Sequence, residues 1–299
     1  MPTAARDAIL AWYDATGREL AFRATADPYA VLVSELMAQQ TQAVRAAEAW
    51  TGWMARWPTV VALAEAPVAD VLRAWAGLGY NRRALSLHRA AHAIVADHGG
   101  VVPADVATLV TLPGVGPYTA RAVAAIAFRV PVGAVDTNVR RVLGRIVAGG
   151  PEAFTAAEMQ ALADAVVPPD RPDAWTHALM DLGARLCRPA RPRCADCPVV
   201  ACCKYAAADR LTGDAAATSA RSPRATWRPE PPFPSTRRWL RGRIMARARD
   251  AEDGAWVAYP EAIGEHPAHA VREAVMTLAA EGLLEARDRD GGPEARLPS

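Results

Sequence analysis

The sequence predicts an all-α fold, followed by a small separate C-terminal module. From residue 1 to about residue 186, apolar residues recur at the spacing of amphipathic helices. No stretch there alternates apolar and polar residues between turn signals, as a half-buried strand would. Five cysteines then lie within seventeen residues, and a proline-rich segment follows them. These observations predict a helical body, a ligand-binding loop, a linker and a last module, in that order.

The composition is that of a folded globular protein. Hydrophobic residues make up 52% of the 299 residues and charged residues 22%, and no apolar run approaches the ~20 residues that span a bilayer. Because 34 basic and 32 acidic residues leave a formal charge of +2, any basic surface must be a local patch. The first ten residues lack the pattern of a secretory signal. We therefore expect a cytoplasmic protein with no membrane partner.

The helices are predicted from apolar spacing and from helix-start signals. Asp27 followed by Pro28 is a good N-cap with proline at the first helical position, so a helix begins there. The links between helices are short, which is typical of a compact bundle. The other helices are predicted at about 4–15, 43–55, 67–75, 82–97, 116–128, 137–148, 155–166 and 172–186.

The C-terminal part has a different composition. Residues 206–236 are rich in Ala, Pro, Arg and Ser, so we interpret them as a linker. Residues 237–299 begin with a basic segment and contain a helix whose apolar face carries Val271, Val275 and Leu278, followed by a glycine turn. These features predict a small winged-helix-like module.

The cysteines form one local pattern, Cys187-x6-Cys194-x2-Cys197-x5-Cys203, with Cys202 as a spare. In an intracellular protein, thiolates this close together bind a soft metal centre. Structural zinc usually takes two short pairs of ligands, whereas this loop has a single Cys-x2-Cys. The spacing therefore favours a [4Fe-4S] cluster on these four cysteines, with zinc as the alternative.

The segment Gly114-Val115-Gly116 places two glycines directly before a predicted helix. Glycines permit close backbone approach, and the amide groups of such a turn point outward with those of the helix N-terminus. This arrangement suits a phosphate oxygen or a monovalent cation held by the backbone. An ordinary turn between two helices is the alternative.

Two carboxylates are predicted to have opposite protonation preferences. Glu35 follows Val31 and Leu32 by four and three residues and shares their apolar stripe, so desolvation should raise its pKa. Asp136 occupies an N-cap position, where the helix N-terminus favours its ionised form. An acid paired with an anion is the arrangement that cleaves glycosidic bonds. A glutamate reaching solvent and a simple helix cap are the alternatives.

Together these motifs resemble the helix-hairpin-helix DNA glycosylases of the endonuclease III superfamily, and within them the MutY adenine glycosylases. The resemblance covers residues 8 to about 205. It implies a two-lobed fold, with a cluster lobe at 1–22 and 133–205 and a six-helix barrel lobe at 23–132. The helix-hairpin-helix would lie at about 108–128. The resemblance rests on Ser34 to Gln42, Gly77-Leu78-Gly79-Tyr80, the glycine hairpin, Val135 to Val139 and the cysteine loop.

The resemblance also implies residue roles. Glu35 matches the general acid that protonates adenine N7, and Asp136 matches the anion that stabilises the sugar cation or bonds to it. Tyr118 and Asn138 match residues that assist these two. Residues matching positions around the flipped base, in the stack and along the DNA backbone are Arg23, Gln39, Gln40, Thr41, Tyr80, Gly114, Val115, Gly116 and Arg140. The expected partner is double-stranded DNA with a mismatched adenine, bound by a nucleoid-associated monomer that carries a [4Fe-4S] cluster.

Strand cleavage by β-elimination needs an amine for a Schiff base. The only lysine, Lys204, lies beside a cluster cysteine, and Tyr118 stands where endonuclease III-like enzymes carry lysine. We therefore expect a monofunctional glycosylase that leaves an abasic site, with water as the final nucleophile.

The sequence departs from the family at lining and wedge positions. The usual Leu-Pro-Trp-Arg is Leu20-Ala21-Phe22-Arg23, a leucine is Ala38, and the second tyrosine of Gly-Tyr-Tyr is Asn81. Residues 237–299 are also too short for the Nudix-like domain that reads 8-oxoguanine. The alternatives are a glycosylase for another mispaired base and a non-catalytic, cluster-containing DNA-binding protein. The second alternative predicts loss of Glu35 or Asp136, and both are present.

Overall fold

The computed structural model describes residues 1–212 and 232–299. Helices form the described part of the chain up to residue 212, as the apolar spacing predicts. The helices of this body are α1 Thr3–Thr16, α2 Pro28–Ala38, α3 Ala43–Arg56, α4 Val60–Ala64, α5 Val68–Ala74, α6 Arg82–His98, α7 Val106–Leu109, α8 Pro117–Ala127, α9 Thr137–Ala148, α10 Ala156–Ala165, α11 Pro172–Arg185 and α12 Lys204–Thr212.

The predicted helices agree with the observed ones within about two residues at each end. The short helices α4 and α7 were not predicted, because four or five residues do not show a full helical period. The linker prediction was wrong over its first part, where the alanine-rich α12 continues to Thr212. The remainder of the predicted linker falls mostly on residues 213–231, outside the described residues.

The first compact unit comprises Met1–Glu35, Pro103–Thr111 and the described part of Val115–Thr226. Its core is formed where α11 packs against α1, α8 and α9, and where α12 packs against α9. Fully or nearly fully buried side chains of this core include Ile9, Val142, Leu143, Trp175 and Leu182. Burying a large apolar side chain contributes about 1.5–3 kcal/mol, so the packing of α9 on α11 fixes the helix ends that carry the site residues.

The second compact unit comprises Leu36–Val102, Leu112–Gly114 and the described part of Trp227–Ser299. Helices α4 and α5 pack on α6, and three tryptophans fill the space between them. The ring of Trp53 meets those of Trp57 and Trp75 edge to face, with centroids 4.7 and 5.5 Å apart. Edge-to-face pairs of this kind add to the area that aromatic burial already provides.

The C-terminal module belongs to the second unit and has the predicted winged-helix-like make-up. Helix α14 buries Val271, Val275 and Leu278 against its neighbours. The three strands form an antiparallel sheet in the order β1-β3-β2, stabilised by the cross-strand ion pairs Arg287–Glu294 and Arg296–Glu285. The elements are α13 Arg237–Asp250, β1 Val257–Ala258, α14 Ala268–Ala280, β2 Glu285–Arg289 and β3 Gly292–Arg296.

The two units divide the chain within α2 and around the glycine hairpin. The lobe boundaries that the resemblance implies, near residues 22, 132 and 205, stay a prediction. In the described ranges, no helix combines the length and the apolar composition that crossing a membrane requires.

Candidate active site

Glu35 lies on α2 in the first unit and is only 7% exposed. Val31 and Leu32, which share its face, are almost completely buried. The pKa of the Glu35 carboxyl is raised to about 7, chiefly by burial and also by the negative charge of Asp136, while Tyr118 and the charge of Arg23 act to lower it. The carboxyl therefore keeps a proton on a substantial fraction of molecules at neutral pH.

Tyr118 lies in the first turn of α8, directly after Pro117 at the first helical position. Burial raises the pKa of its phenol well above the usual value, and the charges of Glu35 and Asp136 raise it further. The phenol thus stays protonated, and it lies close enough to Glu35 to affect the pKa of that carboxyl. The sulfur of Met180 lies 3.7 Å from the Tyr118 hydroxyl. Both observations place the phenol in the same buried site as the carboxyl.

Asp136 is the N-cap of α9, as its sequence position predicts. Its Oδ1 accepts the backbone N–H of Val139 at 2.7 Å, and its Oδ2 accepts the side-chain amide of Asn138 at 2.8 Å. Both carboxylate oxygens are thus held by donors, and the carboxylate faces the positive end of the α9 dipole. The start of α9 and the side chain of Asn138 together fix the position of the anion.

Asn138 is itself held in place by two residues that sequence reasoning missed. Arg141 donates from Nη2 to Asn138 Oδ1 at 2.7 Å and to the Gly183 carbonyl at 2.9 Å. A Cβ on Gly183 would lie 2.7 Å from the Asn138 Cβ, so only glycine lets α11 approach this closely. The three-residue spacing from Asn138 to Arg141 along α9 was an available signal. Nothing in the local sequence marked Gly183.

Arg23 is bound to a fully buried carboxylate, Asp181 on α11. Its Nη1 and Nη2 donate to Asp181 Oδ2 and Oδ1 at 3.0 and 2.8 Å, and Arg18 adds bonds from its backbone N–H and Nε at 2.9 and 2.7 Å. Burial alone would raise the pKa of Asp181, but the bonds from the two arginines outweigh it and lower the pKa. The pairing fixes the guanidinium of Arg23 in the first unit.

His177 is another buried polar residue near Arg23. Burial lowers the pKa of its imidazole to about 3, and the charge of Arg23 adds to this effect. The imidazole is therefore neutral at physiological pH. Its Nδ1, like the Nε of Arg23, has no hydrogen-bond partner among the described residues. Such atoms are costly to bury unpaired, so they offer contact points to a polar ligand.

The four predicted metal ligands line one apolar cavity. Cys187, Cys194, Cys197 and Cys203 all face it, and Arg145 donates to the Cys187 sulfur at 3.5 Å. The fifth cysteine is exposed, does not line the cavity, and donates from its sulfur to the Val199 carbonyl at 3.5 Å. Burial raises the pKa of the Cys197 thiol to about 11. Among the described residues, no group of three His, Cys, Asp or Glu side chains is arranged to hold a metal ion.

The remaining predicted residues are placed elsewhere in the chain. Gln39, Gln40 and Tyr80 line a cleft in the second unit. The hydroxyl of Thr41 accepts from Arg83 Nη2 at 3.2 Å and lies 3.3 Å from the Leu78 carbonyl. These four residues thus belong to one region of the second unit.

The hairpin and Arg140 have structural duties of their own. Gly114 has φ +78°, and a Cβ there would lie 2.5 Å from the Ser86 Cβ, so the position needs glycine. Val115 is buried, whereas a Cβ on Gly116 would meet open space. The guanidinium of Arg140 donates to the carbonyls of two residues in the turn after α9.

Comparison with known proteins shows the family to which the chain belongs. Residues 33–169 match the family described as HhH-GPD superfamily base excision DNA repair protein. An adenine DNA glycosylase of Mycolicibacterium smegmatis is 40% identical over 280 residues, 93% of this chain and 91% of that one. An adenine DNA glycosylase of Mycobacterium tuberculosis is 50% identical over 198 residues, 65% of each chain.

Among solved structures, a thermostable thymine-DNA glycosylase is similar, with a TM-score of 0.64 and 28% identity over 68% of this chain and 95% of that chain. The fold is thus that of the helix-hairpin-helix DNA glycosylases. The chain belongs to the HhH-GPD superfamily of base excision DNA repair proteins and, within it, to the adenine DNA glycosylase family.

The raised pKa of Glu35 predicts a pH-dependent cost to stability. The unfolded carboxyl titrates near its ordinary value of 4.5 and the folded one near 7, so between these values only the unfolded chain gives up its proton. Stability therefore falls as the pH rises through this window, by about 3 kcal/mol at its upper end. Glu35→Gln cannot ionise, so relative to the wild type it should gain about this much between about pH 4.5 and pH 8.

Urea unfolding of the wild type and of Glu35→Gln at about pH 4.5 and about pH 8 measures this difference in the free energy of unfolding. Glu48→Gln, at an exposed position on α3, is the matched control and should show no pH-dependent gain. An equal stability difference between Glu35→Gln and wild type at both pH values would contradict the raised pKa.

Proposed function

We propose that this protein is a monofunctional DNA N-glycosylase that removes adenine mispaired with 8-oxoguanine or guanine and leaves an abasic site. The observation that carries the proposal is the buried carboxyl of Glu35, which lies beside Tyr118 and is close enough to Asp136 for the two charges to interact. Membership of the adenine DNA glycosylase family supports the choice of base.

Glu35 is the general acid. Adenine is a poor leaving group, and protonation at N7 lets it depart with the electron pair of the bond from N9 to the sugar C1′. With a pKa of about 7, the carboxyl holds its proton yet can release it to the base at neutral pH. Tyr118 donates a hydrogen bond to Glu35 and thereby stabilises the carboxylate that proton transfer leaves behind.

Asp136 is the anion that meets the positive charge developing on the sugar. The carboxylate either stabilises the oxocarbenium-like state or bonds briefly to C1′, and water then supplies the hydroxyl that completes hydrolysis. Its two hydrogen bonds, from Val139 and Asn138, hold it in place before the reaction begins. Such preorganisation avoids the reorganisation that water would require.

The remaining predicted residues take DNA-binding roles in this proposal. Gln39, Gln40 and Tyr80 surround the extruded base and fill the stack, and a mispaired adenine is cheaper to extrude than a paired one. Arg23 and its neighbour His177 offer the unpaired Nε and Nδ1 atoms to the base. Thr41, Arg140 and the amides of Gly114, Val115 and Gly116 complete the contacts, with a phosphate or a monovalent cation at the hairpin.

Strand cleavage through a Schiff base would need a lysine amine, and the sequence has one lysine. The single lysine, Lys204, begins α12 directly after Cys203 in the cysteine loop. Tyr118 stands at the position where, by the resemblance, a lysine would form the Schiff base, and its phenol lies beside Glu35. The proposed product is therefore an intact strand with an abasic site, made by a monomer acting on the DNA of the nucleoid.

A [4Fe-4S] cluster fits the cysteine loop. Four thiols line one cavity whose other walls include Val142, Ile146 and Leu182, and the fifth thiol is outside it. In such a cluster, each of the four cysteine thiolates would bind a different iron. The apolar side chains around the cavity and the nearby guanidinium of Arg145 are a suitable environment for it. Bound, the cluster would cross-link the loop from Cys187 to Cys203 and so support α12 and the end of α11.

Iron content tests the cluster. We expect about four irons per chain and a broad visible absorption in the wild type, both lost in Cys197→Ser because each of the four thiolates holds one iron. Cys202→Ser is the matched control and should retain both signals. One zinc per chain in place of iron, or loss of iron in Cys202→Ser, would contradict the assignment.

The activity is tested in a single-turnover assay on duplexes with adenine opposite 8-oxoguanine, guanine or cytosine. We expect strand breaks only after alkali, because the enzyme leaves an abasic site. Glu35→Gln and Asp136→Asn should each lower the rate constant by at least about 100-fold. Glu158→Gln, an exposed capping residue of α10, is the control and should retain the wild-type rate.

Each other outcome of this assay has a defined meaning. Release of a different mispaired base would favour the alternative in which Phe22, Ala38 and Asn81 have altered the pocket. Absence of base release from any duplex, by protein that carries its cluster and binds DNA, would favour the non-catalytic DNA-binding alternative.

A further inference from the structure

A cleft of about 1120 Å³ lies in the second unit, between the turn Gly77–Tyr80 and α13 of the C-terminal module. Among the residues that the structure describes, seven arginines and one carboxylate, that of Asp250, line the cleft. The family match ends at residue 169, so the arginines that α13 contributes lie outside the matched domain. None of the residue roles proposed above accounts for them.

The two walls of the cleft are fixed to one another by partly buried hydrogen bonds. Arg249 of α13 donates from Nε to the Leu72 carbonyl and from Nη2 to the Asn81 side-chain oxygen, both at 2.8 Å. Arg73 on α5 donates back to the Arg249 carbonyl at 3.3 Å and pairs with Asp253. The module is therefore docked on the second unit by side chains of both partners. Asn81, where the family has a tyrosine, serves this docking.

Three exposed arginines of the lining have no carboxylate partner among the described residues. Arg82, Arg238 and Arg243 are exposed, and no described acid lies within 4 Å of them. Others are neutralised, as Arg241 is by Glu281 at 2.6 Å. Exposed, uncompensated guanidinium groups around one concave surface attract a polyanion, and phosphate is the anion that arginine binds in a bidentate manner.

An exposed aromatic ring stands beside these charges. Tyr80 is 46% exposed, and its backbone has φ +46°, a left-handed conformation that costs a non-glycine residue about 1 kcal/mol or more. The guanidinium carbons of Arg238 and Arg83 lie 4.8 and 5.6 Å from the ring centre. Arg83 also donates to the Leu78 and Gly79 carbonyls. The aromatic ring of Tyr80 is thus held between the two walls by the guanidinium groups of Arg238 and Arg83.

We propose that this cleft binds one strand of DNA, with backbone phosphates on Arg82, Arg238 and Arg243 and a base against the ring of Tyr80. Cationic grooves with aromatic platforms are the general solution for binding a single strand. The choice of DNA as the polyanion rests on the proposed function. The C-terminal module is then a DNA-binding element that acts through the strand contacts of α13.

The test is the salt dependence of DNA binding by the full-length protein. Removing one arginine that binds a phosphate should reduce the slope of log affinity against log salt by about 0.9. Arg238→Ala with Arg243→Ala should therefore reduce the slope by about 2 and weaken binding by about 10-fold or more at low salt. Arg247→Ala, an exposed arginine of the same helix outside the cleft, is the matched control and should change neither.

Fluorescence anisotropy of a labelled duplex measures both quantities. The double lysine variant, Arg238→Lys with Arg243→Lys, keeps the charges and should restore most of the slope, which separates charge from folding defects. A slope for the double alanine variant equal to that of Arg247→Ala would overturn the proposal. The proposal would also be overturned if the double alanine variant had a reduced slope with single-stranded RNA but an unchanged slope with DNA.

The measurement is independent of catalysis. If the wild type releases no adenine while the alanine variant still shows the reduced slope on DNA, the proposed function fails and the cleft assignment stands. If the wild type releases adenine and the alanine variant has an unreduced slope, the proposed function stands and the assignment of the cleft fails.

Discussion

The desolvation of the Glu35 carboxyl, with the phenol of Tyr118 beside it, is the constraint on which the rest of the site depends. A carboxyl among apolar side chains of α2 resists ionisation, and its pKa of about 7 represents about 3 kcal/mol of differential interaction between its two protonation states. The bond from the phenol offsets part of this cost in the charged state. At neutral pH the Glu35 carboxyl therefore holds its proton on a substantial fraction of molecules and can still transfer it to a base.

The carboxylate of Asp136, in contrast, is stabilised in its charged form by the N-terminus of α9, which follows it in the chain. Asp136 is held by Val139 and Asn138, and Arg141 orients the Asn138 amide. The same arginine donates from Nε to the Cys187 carbonyl at 2.7 Å. One guanidinium thus joins the first cysteine of the loop to the side chain that holds the carboxylate. A loop ordered by a cluster would stabilise this arrangement, which gives the cysteine loop a role in the geometry of the site without a role in the chemistry.

The sequence was informative where a function depends on local pattern. The apolar stripe around Glu35 predicted its burial and the direction of its pKa, and the position of Asp136 before a helix predicted its capping bonds. The helices of the body followed from their period. These features depend on residues within one turn of each other, so a single segment contains the whole signal.

Features that depend on distant segments were not predictable in this way. The bond between Arg23 and Asp181 joins residues 158 positions apart, and the close approach of Gly183 to Asn138 depends on how α11 packs on α9. The docking of α13 through Arg249 and Asn81 is of the same kind, since it joins the C-terminal module to a loop far earlier in the chain. A single sequence shows that these residues are charged, small or polar, but it does not show which of them meet.

The pH dependence of the single-turnover rate constant for adenine release tests the central claim most directly. With Glu35 as the acid, the rate should be constant below its pKa of about 7 and fall about tenfold per pH unit above it. Tyr118→Phe, which removes the bond that lowers this pKa, should move the break to higher pH. A rate that is independent of pH from about 6 to 9 in the wild type would contradict the assignment of Glu35 as the proton donor.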